Sequence, residues 1–111
     1  MKIAIIGSRN FPDEQKVYEF VASLPMGTSI VSGGAEGVDS WAASEARTRG
    51  LGVITYEPNY ELHGRRAPLV RNEAIAIECD RMVAFWDGKS RGTMHAVRQA
   101  KKLGRPVEIR R

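Results

Sequence analysis

Short apolar runs and amphipathic stretches alternate along this chain from one end to the other. Ile3-Ala4-Ile5-Ile6 is a continuous apolar run closed by Gly7, as expected of a strand buried on both faces of a parallel sheet. Pro12 then suits a first helical position, Asp13 and Glu14 suit the positive end of a helix, and Val17, Phe20, Val21 and Leu24 recur on one face. Pro25 and Gly27 stop that helix. Residues 28–32 read as the second strand, 33–37 as a tight glycine turn, and 38–49 as a helix closed by Gly50. Residues 53–56 give the third strand, and 57–66 read as a mobile polar loop. Pro68 opens a helix whose apolar face is Val70, Ala74 and Ile77. A fourth strand at 81–86, a glycine-rich turn at 87–92, a helix over 93–103 facing inward through Ala96, Ala100 and Leu103, and a last strand at 106–109 complete the pattern.

Strict βα alternation implies an α/β fold with a parallel sheet, right-handed crossovers and helices on both faces. The expected architecture is a three-layer, Rossmann-like open sheet of five strands in the order 3-2-1-4-5. In that order the winding reverses between strands 1 and 4, and a crevice opens at their carboxyl ends, where ligands of such sheets bind. The loops that meet there are residues 7–10, 33–37 and 87–93.

Composition narrows the classes. At 111 residues, 42% of them hydrophobic, the chain has room for one domain, 1–111, with a core of its own. The single cysteine, Cys79, rules out an internal disulfide framework, and no Cys/His spacing suggests a metal site. Residues 1–7 do not read as an export signal, since the apolar run is short and Ser8-Arg9-Asn10 follow, and no stretch is long enough for a membrane span. A cytoplasmic protein without membrane partners is expected. Net charge is +4, unevenly placed: residues 1–55 hold five basic and six acidic side chains, residues 56–111 twelve and seven. A basic second half fits a phosphate-bearing partner or ordinary solubilising charge, and composition does not decide between them.

The three loops carry phosphate chemistry. Gly7, Ser8 and Arg9 offer a flexible backbone, a hydroxyl and a guanidinium. Gly33, Gly34 and Ala35 place backbone N–H groups just before a helix N-terminus. Ser90, Arg91, Gly92 and Thr93 repeat that arrangement and add two hydroxyls and a cation. Glycines at any one of these turns could serve the turn alone; three such loops on one sheet edge favour a site. The dinucleotide fingerprint is a poorer fit, because the glycine pattern follows the second strand and not the first. Asn72 stands out because asparagine inside a helix needs something to bond. The acid–base candidates are Asp87, at a strand tip, and His95, whose pKa a helix N-terminus would lower. Asp39 is assigned to stabilising its helix end. No nucleophile, base and orienting group can be assembled from spacing.

Taken together, GSR at 7–9, SGGAEGVDSWAASEA at 32–46, RNEAIA at 71–76 and GKSRGTMHAVRQAKKLGRPV at 88–107 resemble the SLOG superfamily, in order and over nearly the whole chain. That group includes the Rossmann-like core of DprA (Smf), the Lonely Guy enzymes and small stand-alone YspA-like domains. The resemblance implies a nucleotide or nucleotide-derived ligand across the named loops, and it adds Arg71 and Asn72 to the site. It implies no cofactor beyond that ligand, and it implies self-association into a homo-oligomer. Lonely Guy enzymes carry a glutamate soon after a Gly-Thr pair, whereas here Gly92-Thr93 is followed by Met94, His95 and Ala96. The phosphate-holding half of that motif is present and the acid is not, which puts phosphoribohydrolase chemistry in question.

Two readings of function follow. The first is a nucleotide binder, either a sensor or an enzyme acting on the nucleotide. The second is a DprA-like module for single-stranded nucleic acid. For the second, Arg91, His95, Arg98 and Lys102 fall on one face of the helix over 93–103, as a backbone-tracking stripe would.

Overall fold

A computed structural model describes residues 1–111. Five parallel strands, β1 (Lys2–Gly7), β2 (Ser29–Ser32), β3 (Gly52–Thr55), β4 (Arg81–Phe85) and β5 (Val107–Arg110), form one sheet in the order β3-β2-β1-β4-β5. Ile3 lies opposite Ile30 on β2 and Arg81 on β4, so β1 is central and the switch point falls between β1 and β4. The expected strand order, parallel pairing and covering of both faces by helices are those observed.

Alternation along each strand divides the core into two layers. Ile3, Ile5, Ile30, Val83 and Phe85 face α1 (Glu14–Ala22) and α2 (Val38–Thr48), meeting Val17, Val21, Val38 and Ala42. Ala4, Ile6, Val31, Met82 and Ala84 face α4 (Ala67–Glu78) and α5 (Arg91–Lys102), meeting Ile75, Ala96 and Val97. Phe85 anchors the first layer, edge-on to Phe11 at 5.5 Å and to Phe20 at 6.0 Å. Such T-shaped pairs contribute roughly 1 kcal/mol each beyond their buried area.

Several local expectations are corrected. Residues 57–66 are not an irregular loop: they hold the short α3 (Tyr60–His63), capped by the Asn59 side chain on the Leu62 N–H, and a 3-10 turn, Gly64–Arg66. Asp13, not Pro12, begins the first helix, its carboxylate accepting from the Lys16 N–H. The buried side of α4 is Ala67, Asn72, Ile75 and Ala76, whereas Ile77 is 64% exposed. Leu103 lies just past the end of α5 and is 48% exposed, so it is not core. The last helix begins two residues earlier than expected, with Ser90 as its N-cap and Gly92 inside its first turn.

Candidate functional site

A crevice of about 240 Å³ opens beyond the carboxyl end of β1, between the turn after β2, α4 and the start of α5. Gly7 and Arg9 come from the end of β1, Gly33 and Ala35 from the turn after β2, Arg71 and Asn72 from α4, and Ser90, Gly92 and Thr93 from the start of α5. Nine of the residues expected at the site therefore line one cavity. Ser8 is buried directly behind it.

Hydroxyl chemistry runs through this wall in one direction. Ser8 Oγ accepts the Asp87 N–H at 3.0 Å and lies 3.4 Å from Thr93 Oγ1. Thr93 Oγ1 donates to Ser90 Oγ at 3.0 Å, and the Thr93 N–H donates to the same oxygen at 3.3 Å. With Thr93 donating onward, the Ser8 hydroxyl is the donor to Thr93. Both acceptor positions of Ser90 Oγ are then taken, which leaves its proton for a group outside the chain. A relay of this kind polarises its last donor. Beside it, the Arg91 and Gly92 N–H groups have no intrahelical partner, because they open α5, and the helix dipole adds positive potential there. The Arg9 guanidinium is exposed at the mouth. This side of the crevice presents donors and positive charge.

The opposite side is already satisfied by the chain itself. Asp39, in the first turn of α2, turns back and accepts the Gly33 N–H at 3.1 Å and the Ala35 N–H at 3.3 Å through one carboxylate oxygen. The Gly33 and Ala35 amides assigned to a ligand thus hold an internal carboxylate. Arg71 Nη1 donates to the Gly33 carbonyl at 2.6 Å and its Nε to Asn72 Oδ1 at 3.0 Å. Asn72 Nδ2 reaches the Gly92 carbonyl at 3.4 Å and His95 Nδ1 at 3.0 Å. These contacts tie α4 to the Gly33 turn and to the start of α5. The expected bonding role of Asn72 is therefore seen, and it sets the spacing of the crevice walls.

Four expected residues stand elsewhere. Gly34 has φ +71° and faces a neighbouring depression beside Thr55 and Glu57. Arg91 is exposed at the rim and does not line the cavity. His95 lies on α5 with its other ring nitrogen, Nε2, 3.3 Å from Gln99 Nε2, so the imidazole is engaged at both ends. Its pKa is lowered as expected, but by burial first and by Arg98 and Lys102 next. Asp87 accepts the Lys89 and Ser90 N–H groups, each at 2.8 Å, and these bonds hold its carboxyl below the usual range. It closes the turn before α5. The outward stripe of Arg98 and Lys102 runs away from the crevice, Lys102 being ~14 Å down the helix axis from Thr93.

Asp39 is the residue whose place the sequence did not reveal. Burial raises its pKa from 3.8 to about 6, against the pull of the Ala35 N–H, Arg71 and the Gly33 N–H. A carboxyl with a raised folded pKa binds its proton more tightly in the folded state, so its stabilising contribution is complete below 3.8 and is lost as pH rises through about 6. Across that window wild-type stability should fall by about 3 kcal/mol as pH rises, measured by urea unfolding at successive pH values. Asp39→Asn should remove that slope, and an unchanged slope would show that another group titrates.

Comparison with known proteins agrees with this architecture. Residues 1–63 match the YspA, cpYpsA-related SLOG family. The Gene 61 protein of Mycobacterium phage D29 is 35% identical over 116 aligned residues, covering 96% of this chain and 93% of its own. DNA processing protein A from Helicobacter pylori, a protein with a single-stranded DNA binding mode, superposes with a TM-score of 0.77 at 25% identity. That likeness covers 98% of this chain and 64% of the Helicobacter chain. DprA from Streptococcus pneumoniae shares the fold, with a TM-score of 0.70 at 22% identity over 97% of this chain and 49% of its own. The chain thus spans less than two thirds of either solved relative. A family match over residues 1–63 and a phage relative aligned along almost the whole length carry one conclusion: this chain belongs to the YspA, cpYpsA-related SLOG family.

Proposed function

We propose that this chain binds single-stranded DNA by seating a backbone phosphate in the crevice at the carboxyl end of β1, against the start of α5. The observation that carries the reading is the hydroxyl relay ending on Ser90, whose free proton sits beside the unpartnered N–H groups of α5. That set of donors suits an oxyanion. The likeness to the Helicobacter DNA processing protein, which spans 98% of this chain, supports DNA as the source of the phosphate. A free mononucleotide is the second reading, favoured by a cavity of about 240 Å³ that suits one phosphate and its sugar.

Fluorescence anisotropy of a labelled oligothymidylate separates the readings. The logarithm of the binding constant should fall linearly with the logarithm of salt concentration, with a slope of about −0.7 for each phosphate held. Arg9→Ala and Ser90→Ala should each weaken binding by roughly tenfold, as loss of a charge-assisted contact does. Arg98→Ala with Lys102→Ala should change it little. The reverse pattern of sensitivity would move the DNA to the outer face of α5. Equal affinity for thymidine monophosphate and the oligonucleotide would assign the crevice to a small nucleotide. Binding of neither would remove the proposal.

A further inference from the structure

α4 carries an apolar stripe on the side that the fold leaves uncovered. Asn72, Ile75 and Ala76 are its buried residues, turned to the sheet and to α5, and at 3.6 residues per turn Val70, Ala74 and Ile77 fall on the far side of the helix. Val70 and Ala74 are half-buried, and Ile77 is largely exposed. Leu62, in the single turn α3 that packs against α4, is 72% exposed. On the same side of the sheet, Ile54 of the edge strand β3 and Tyr56 just beyond it are only partly buried. A contiguous apolar face of this kind marks an interaction surface. Charges of opposite sign are spaced along it. Arg66 is exposed at the N-cap of α4, and Glu73 is exposed seven residues on, close to two full turns and ~10 Å along the axis, so both lie on the face of Val70 and Ile77. Neither has an ion-pair partner in the chain, whereas Glu78 is taken by Lys2 at 3.1 Å.

We infer that a second copy of this chain docks on this face, with the two α4 helices antiparallel across a two-fold axis beside Val70. An axis midway between positions 66 and 73 brings Arg66 of each copy to Glu73 of the other, making two equivalent ion pairs. Val70 then packs against its own counterpart, and Ile77 of each copy comes level with Leu62 of the other. Ala74 is small enough to admit the aliphatic stem of Arg65 from the second copy. Self-complementarity is what selects a second copy over a different partner: one stripe carries both signs at matched distances from a single apolar centre. Antiparallel packing also sets the two helix dipoles in favourable opposition. Arg66, Val70, Glu73 and Ile77 do not line the crevice, so the inference stands apart from the DNA reading.

Sedimentation equilibrium of the full chain over a range of concentrations tests it. The wild type should reach a mass of two chains, each of 12.3 kDa. Ile77→Glu places a charge at an exposed position, so the variant should keep the thermal unfolding of the wild-type monomer and weaken self-association at least about tenfold. Glu73→Arg sets like charges against each other across the axis and should weaken the dimer by about tenfold. Arg66→Glu combined with Glu73→Arg exchanges the signs and should recover it to within about threefold of the wild type. A wild type that stays monomeric at the highest concentration would overturn the inference. So would a dimer that Ile77→Glu leaves intact, since the contact would then lie on another face. Loss on Glu73→Arg without recovery in the double reversal would overturn the antiparallel pairing about Val70.

Discussion

A Gly92→Val protein is expected to fold normally and to lose its ligand. Gly92 lies in the first turn of α5, and a Cβ added there meets nothing within 4 Å. Its backbone lines the crevice. The new side chain therefore enters space that the fold leaves open and that a phosphate would need to reach the Arg91 and Gly92 amides. For the fold, glycine replacement in a helix is compatible with helical φ and restricts the unfolded chain, so stability should change by less than about 1 kcal/mol. For the ligand, overpacking of a close contact costs about 2 kcal/mol. That corresponds to roughly a 30-fold loss of affinity. Thermal unfolding and anisotropy on one preparation check both halves. Binding at wild-type strength would mean that the phosphate approaches from elsewhere.

Gly7→Ala should have the opposite character, with the fold failing first. A Cβ on Gly7 would lie 2.5 Å from Val38 Cγ2 and 2.6 Å from the Phe85 carbonyl oxygen. Neither neighbour is free to move. The Phe85 carbonyl accepts the Ser8 N–H at 3.0 Å, and Val38 is fully buried at the start of α2. Relief requires β1 and β4 to separate at their carboxyl ends, which breaks the ladder that positions Ser8. A destabilisation of about 3 kcal/mol is expected. In a domain of this size that lowers Tm by more than about 10 °C. Calorimetry of the variant checks it, and a Tm within a degree or two of the wild type would show that the β1–α2 junction has slack.

Gly7 and Gly92 illustrate which parts of the site the sequence could show. Apolar runs ending in glycine located the strands, and topology then placed 7–10 and 87–93 together without any knowledge of side chains. Asn72 was legible for a different reason: an asparagine in a helix interior has to bond something, and here it bonds the Gly92 carbonyl and His95. The same residue misdirected the reading of α4. Because a polar side chain occupies its inward face, the apolar periodicity of Val70, Ala74 and Ile77 pointed partly to solvent. Residues 57–66 were missed because a single helical turn is shorter than any periodicity, although Asn59 was there as a cap.

Asp39 shows the deeper limit. An acid in the first turn of a helix ordinarily serves that helix, and nothing local distinguishes one that bends back to the preceding turn. Its carboxylate takes the Gly33 and Ala35 amides that glycine-rich spacing had reserved for a ligand. Its burial raises its pKa while Arg71, reaching across from α4 to the Gly33 carbonyl, pulls the other way, and both depend on long-range packing. The positive side of the crevice therefore belongs to Ser8, Arg9 and the opening of α5, and the turn after β2 supplies structure.

The most direct test of this account is an amide chemical-shift titration of the ¹⁵N-labelled chain with a short oligothymidylate at low salt. The account predicts saturable shifts at Ser8, Arg9 and the Arg91, Gly92 and Thr93 amides, with Ser44 and Arg47 at the far end of α2 unmoved. Shifts confined to Arg98, Lys101 and Lys102, or none at saturating probe, would contradict a phosphate seat at the carboxyl end of β1.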